Sequence, residues 1–281
     1  MMRLDASEKL PAATFQFLES LPILVPNWPA PASVRALVTT RAGGVSSTPY
    51  AELNLGDHVG DEPLQVAENR ARLRQLLPND PVWLQQVHGT TVWQSGALHQ
   101  ADAAISAELE QVITVLTADC MPVLFCNRAG NLVGVAHAGW RGLCAGVLEN
   151  TVQALAEKSR LLGQTLAMED ILVWLGPAIG PSCFEVGNEV REQFIAAAEL
   201  TGANLPLEAF QAIPSKPQKY WANLYQLARM RLQNCGIHAI YGSECCTFTQ
   251  PDHFFSHRRD GVSGRFAALI WLTVPKKTLK R

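Results

Sequence analysis

Residues 112–142 read VITVLTADCMPVLFCNRAGNLVGVAHAGWRG. Almost all of this is apolar, as expected of strands covered on both faces. Ala129-Gly130 fits a two-residue turn that sets Arg128 opposite Asn131 and brings His137 opposite Pro122. In that register Cys120 lies diagonal to His137 on one face, at ~7–8 Å between Cα atoms and less between side chains. A slip of one residue would put them on opposite faces. Pro122 lacks an N–H, so regular pairing is expected to stop near it.

A thiol beside an imidazole supports two chemistries. One is a nucleophilic dyad, in which the imidazole lowers the thiol pKa from about 8.5. The other is a zinc site, which needs a third protein ligand and keeps a position for water. His88, in Gln85-Gln86-Val87-His88-Gly89, is the candidate third ligand, ending a strand at a glycine. The bland alternative is one buried thiol and two histidines bonded to backbone. Asp119 precedes Cys120 and would shuttle protons or orient a neighbour from behind. Ala138-Gly139-Trp140-Arg141-Gly142 is a turn feeding a helix at about 142. With Arg141 beside the free N–H groups, it reads as an anion site or as a glycine turn with a solvated arginine.

The 281 residues are 48% hydrophobic and 17% charged, with net charge −2, enough apolar material for a large core. No long basic run is present, which argues against nucleic acid as a partner. No stretch approaches the ~20 apolar residues of a membrane span, and Arg3, Asp5, Glu8 and Lys9 are not followed by the apolar core of a secretion signal. Seven cysteines, at 120, 126, 144, 183, 235, 245 and 246, are an odd count set in apolar runs. They suit reduced thiols in a cytoplasm, with Cys183 and the vicinal Cys245-Cys246 as structural positions.

Residues 20–33 are proline-rich and read as an extended lead-in; 36–40 as a strand; 61–77 as a helix with Leu64, Ala67, Ala71 and Leu76 inward; 82–94 as a strand broken at His88-Gly89. Helices are expected at 142–158, 186–198 and 221–235, and strands at 171–175, 238–242 and 266–273. Strands and helices mix without regular alternation, which predicts an α+β fold.

These segments together resemble the YfiH family, also called the laccase-domain or multicopper polyphenol oxidase family, some of whose bacterial members are described as peptidoglycan editing factors. The matching stretches are Thr40-Arg41-Ala42-Gly43-Gly44-Val45-Ser46, Leu53-Asn54-Leu55-Gly56, Gln86-Val87-His88-Gly89, 117–123 (TADCMPV), 136–142 (AHAGWRG), 176–181 (GPAIGP) and Phe255-Ser256-His257-Arg258-Arg259. The resemblance runs from about 22 to 274, one catalytic domain, with 1–21 as an extension and 275–281 as a basic tail. It implies a four-layer helix/sheet/sheet/helix sandwich similar to Cys–His toxin deamidases, and zinc held by His88, Cys120 and His137. It implies phosphorolysis of adenosine, inosine, guanosine and methylthioadenosine, plus deamination of adenosine. Catalysis is assigned to His88, Cys120, His137 and Asp119, and substrate contacts to Arg41, Asn54, Arg141 and Arg258. A monomer is favoured.

Two other activities stand beside this. One is an amide hydrolase editing peptidoglycan precursors. The other is a laccase-like oxidase, with copper displacing zinc. A complete four-copper centre takes about ten histidines, several in His-X-His pairs, and this chain has seven and no such pair. His253 and His257 are spaced i, i+4, but Pro251 and the aromatic run argue loop rather than a second metal site.

Overall fold

The computed structural model describes residues 14–19, 21–96, 99–202 and 207–274. The tail at 275–281 and most of the 1–21 extension lie outside them. Among the described residues the fold is mixed α+β, with three sheets and few helices.

The largest sheet holds the hairpin read from the sequence. Its strands are β4 (Val92–Trp93), β5 (Ala103–Ser106), β7 (Met121–Asn127), β8 (Val133–Ala138), β9 (Ile171–Leu175) and β13 (Ile240–Gly242). They run in the order β13-β9-β7-β8-β5-β4. Every residue of β5, β7, β8 and β9 is buried, which explains their continuous apolar runs. The register is the expected one, Pro122↔His137, and pairing continues past the proline to Met121↔Ala138. The proline does not break the ladder, because Pro122 and His137 are a non-hydrogen-bonded pair: the Pro122 carbonyl accepts the Gly176 N–H at 2.8 Å and the His137 N–H goes to Asp102, so no bond between β7 and β8 needs the missing N–H.

A five-stranded sheet has the order β1-β2-β3-β14-β6, from β1 (Thr14–Leu18), β2 (Leu21–Val25), β3 (Val34–Thr39), β6 (Ile113–Thr117) and β14 (Phe266–Leu272). Residues 21–25 are thus a strand and not a lead-in; Leu21, Ile23 and Leu24 are buried, an apolar gain that outweighs the neighbouring prolines. A small sheet joins β10 (Glu185–Gly187), β11 (Phe210–Ala212) and β12 (Lys219–Ala222).

Strand alternation divides the core. Val123, Phe125, Val173 and Leu175 pack with helices α3 (Val147–Leu161), α4 (Asn188–Thr201) and α5 (Leu224–Asn234). Their neighbours Leu124, Cys126, Leu172 and Trp174 pack with Val38, Val115, Phe266 and Ala268 of the five-stranded sheet. Leu37, Leu116, Ala267 and Leu269 on that sheet's other face pack with Leu73 and Leu77 at the helix α1 (Pro63–Arg74). Cys120, Pro122 and His137 share the parity of Leu124 and Val135, so they lie at the end of the face between the sheets.

Two helices differ from expectation. In α1 the buried residues are Val66, Asn69 and Leu73, whereas Leu64, Ala67 and Ala71 are exposed. The polar member disguised the stripe: Asn69 is fully buried and bonded to Val45 N, Ser46 Oγ and the carbonyls of Glu52 and Asn54. The single helix expected at 142–158 is two, α2 (Trp140–Ala145) and α3, broken at Gly146, whose φ of 102° suits glycine alone. Among the described residues, no helix is long and apolar enough to cross a membrane.

Candidate functional site

Three chain segments converge at the open end between the sheets. His137 is carried by β8 and is 3% exposed. Cys120 follows Asp119, whose φ of 84° turns the chain between β6 and β7. His88 also has positive φ, 59°, in an exposed turn. The rings of His88 and His137 meet edge to face, with centroids 4.8 Å apart. Cys120 Sγ lies 3.8 Å from His88 Nε2, and one ligand atom from each of the three lies within 4.8 Å of the others.

Asp102, not singled out in the sequence, organises this cluster. It is fully buried at the start of β5. Its Oδ1 lies 2.8 Å from His137 Nδ1, and its carbonyl accepts the His137 N–H at 2.7 Å. The same carboxylate accepts the backbone N–H groups of Val87, His88 and Gly89 at 3.1, 2.9 and 2.6 Å. Those bonds hold the left-handed turn at His88. An ionised carboxylate at Nδ1 requires the proton there, which leaves His137 Nε2 as a lone-pair donor.

In the metal-free protein near neutral pH Nε2 carries a proton as well, and Cys120 and His137 form a thiolate–imidazolium pair; ligation requires that proton to leave. Burial pushes the Cys120 thiol up, but His137 and then His88 outweigh it and hold it at about 6. Burial pushes His137 down, but the Cys120 thiolate and Asp102 carry it to about 9. Burial raises Asp102, yet His137 and the Gly89 and Val87 N–H groups bring it below its usual value.

The donor set tests well against a metal. Two imidazoles and a thiolate are ligands for zinc or copper, and bonds of about 2.0–2.3 Å span separations of this order. The cradle is kept clear by Gly139, where a Cβ would lie 2.8 Å from Cys120 Sγ and 3.0 Å from His88 Cδ2. Among the described residues, this is the sole cluster of three such side chains able to hold an ion.

The other expected residues divide. Asp119 is next to the cluster, but its carboxylate accepts from Thr247 Oγ1 (2.7 Å) and from the Arg258 N–H (2.6 Å), fixing two loops. Arg258 bonds the Glu185 carbonyl and lies over Phe184, with its side chain exposed. Arg141 is exposed over Trp140. Arg41 is taken up by the carbonyls of Ala51 and Pro251, and Asn54 by Gly56, Asp61 and Arg265; both brace loops. His58 is exposed beside Asp57, and His253 stacks on Phe15.

Arg265 is the second residue the sequence did not flag. Its Nη1 bonds Ser263 and Gly264, while among the described residues Nε and Nη2 have no protein partner. Burial lowers its pKa, and the charges of Cys120 and Asp119 act in the opposite sense, so its guanidinium lies within electrostatic reach of the cluster. Its signal was slight, one cation between Gly264 and Phe266 at the entrance to an apolar strand.

Packed sheets with a His-Cys-His cluster at their mouth define a candidate metal-binding protein. A family model described as multi-copper polyphenol oxidoreductase laccase matches residues 35–273, and the chain belongs to that family. Its relatives include the purine nucleoside phosphorylase YfiH of Escherichia coli K12, 51% identical over 256 residues, covering 89% of this chain and 98% of the relative. A purine nucleoside phosphorylase of Pseudomonas aeruginosa is 50% identical over 252 residues, with 89% and 98% covered. Among solved structures, a Neisseria meningitidis protein matches with TM-score 0.80 at 42% identity, covering 90% of this chain and 99% of that one. YlmD of Geobacillus stearothermophilus matches with TM-score 0.81 at 32% identity, covering 93% and 100%.

Proposed function

We propose that this chain is a zinc-dependent purine nucleoside phosphorylase that cleaves adenosine, inosine, guanosine and methylthioadenosine and also deaminates adenosine, with residues 22–274 as one catalytic domain. The observation that carries the reading is the meeting of His88, Cys120 and His137, with both histidines held by the Asp102 carboxylate, in a chain about half identical to phosphorylases. The three packed clusters support the further reading of a helix/sheet/sheet/helix sandwich like that of Cys–His toxin deamidases. Seven free thiols support a cytoplasmic setting.

His88, Cys120 and His137 would hold the ion. Bound there, it supplies Lewis acidity toward phosphate or water. The chain's own residues supply the rest. Arg265 offers two unpartnered N–H directions of a guanidinium, the fork that matches phosphate. It lies within electrostatic reach of Cys120 and Asp119, so a cation is available to an anion that enters beside the cluster. Asp102 keeps the His137 proton on Nδ1 throughout. Asp119 holds the Thr247 and Arg258 loops against the cluster, so its part is positioning.

Copper in the same ligands is the second reading, favoured by the family's laccase description and by the affinity order of the divalent metals. Purified protein of measured metal content, incubated with adenosine with and without phosphate, separates these. Adenine and ribose 1-phosphate forming only with phosphate is the expected result. Turnover undiminished after chelation would reject the metal-dependent reading.

A further inference from the structure

Cys183 and Cys246 belong to none of this machinery. The loop at 176–184 and the segment 245–249 run side by side, bridged at Ala178↔Cys246, with Thr247 N–H bonded to the Ala178 carbonyl at 3.0 Å. Cys246 Sγ accepts the Gly180 N–H at 3.2 Å. Thr249 and the Phe248 N–H act on the same sulfur and favour its charged form. The sulfur thus has a backbone donor from the facing loop at hydrogen-bond distance and favourable groups from its own turn, a setting that suits an anion. Burial pushes the Cys246 thiol up, but these donors outweigh it and leave it below its usual value.

Cys183 lies in the same turn, its N–H bonded to the Gly180 carbonyl at 3.0 Å and its sulfur 3.8 Å from Ser182 Oγ, so it stands one turn from the residue that donates to Cys246; burial holds its thiol above its usual value, with Cys246 acting in the same sense. Both residues are half-buried, and Cys246 forms part of the wall of a cavity of about 410 Å³ with Pro181, Asn223 and Arg229. A small oxidant therefore has a route to a stabilised thiolate with a second thiol beside it. That is the arrangement of an attacking and a resolving cysteine. Cys245 is unsuited to either part, since burial raises its thiol to about 11.

We propose that Cys246 and Cys183 are a reversible oxidation site, at which a hydroperoxide is reduced and the two sulfurs are bridged. The Cys246 thiolate attacks one peroxide oxygen; an S–O bond forms, the O–O bond breaks, and hydroxide leaves. Sulfur loses two electrons and the peroxide gains them. The Cys183 sulfur then displaces the hydroxyl from Cys246 as water, carrying off the Cys183 proton, and an S–S bond forms. An external dithiol restores both thiols and is itself oxidised to a disulfide.

The full-length protein treated with a few equivalents of hydrogen peroxide, digested without reduction and read by mass spectrometry tests this. Peptides containing 183 and 246 should appear linked, two hydrogens lighter, and separate with dithiothreitol. In Cys183→Ser, dimedone should trap a sulfenic acid on Cys246. A Cys246 that stays a free thiol at a dose oxidising Cys120, or that bridges to Cys245 instead, overturns the proposal. The wild-type digestion decides this alone if the variant misfolds.

Discussion

Asp102 Oδ1 lies 2.8 Å from His137 Nδ1, and the two oxygens of that carboxylate also gather the N–H groups of the His88 turn. One fully buried residue thus orients two candidate ligands from separate parts of the chain. In Asp102→Asn one oxygen becomes an N–H₂ group, so at least one of the four donors loses its acceptor. The expected cost is about 1–3 kcal/mol of stability and about a 10–100-fold loss of metal affinity. Thermal melting and competition with a chromogenic chelator measure the two effects. An unchanged metal affinity would contradict the role given to Asp102.

Gly139→Ala separates site from fold. The backbone at Gly139, φ −65° and ψ 158°, is open to alanine, yet the new methyl would lie between Cys120 and His88. Circular dichroism should be unchanged. Metal content after equilibration in limiting zinc should fall at least tenfold, and phosphorolysis with it.

The thiols should react in a set order. In metal-free protein, iodoacetamide should modify Cys120 with a half-maximal rate near pH 6, while Cys126 and Cys245, raised by burial to about 12 and about 11, stay unlabelled at neutral pH. Added zinc should protect Cys120, as peptide mapping would show. Stability follows from the same values. The lowered thiol contributes stability that is complete above about 8.5 and lost as pH falls through 6. The raised His137 contributes stability that is complete below about 6.5 and lost as pH rises through 9. Between about 6.5 and 8.5 the slopes oppose and cancel. Relative to a Cys120→Ala/His137→Ala double variant, the metal-free protein's Tm should therefore keep a constant offset across that interval.

Arg265→Met should strike phosphate alone. Loss of the guanidinium is expected to raise the KM for phosphate by more than tenfold with little change in the KM for the nucleoside. Arg265→Lys, which keeps charge without the fork, should recover only part. Initial rates at varied phosphate measure this. Equal damage to both KM values would assign Arg265 to the scaffold.

The hairpin was legible because its physics is local. Setting Arg128 opposite Asn131 fixes Pro122 opposite His137, and with it the side on which Cys120 falls; the connection itself is wider than two residues, with the Gly130 N–H bonded to the Asn127 carbonyl at 2.9 Å and the Asn127 N–H to the Leu132 carbonyl at 3.2 Å. Asp102 was not legible, since its worth lies in accepting N–H groups from residues 87–89, a tertiary fact with no periodic trace. Arg41 and Asn54 show the converse. They sit in distinctive motifs, yet their polar atoms brace loops around carbonyls of 51, 56 and 251. A motif reveals that a residue is constrained, and only packing reveals by what. The inward face of α1 was misread for the same reason, because Asn69 is buried by hydrogen bonds from another loop.

The left-handed turn at His88 is closed by a carboxylate fourteen residues on, at 102, and that carboxylate is locked by an imidazole at 137. No shorter stretch of polypeptide contains the complete clasp. A nascent chain emerging from the ribosome therefore has nothing with which to trap an ion until β8 has been made and threaded beside β5. Any ion taken up by all three ligands would have to arrive after synthesis of that strand, so occupancy of the clasp would record that β8 has reached its place beside β5.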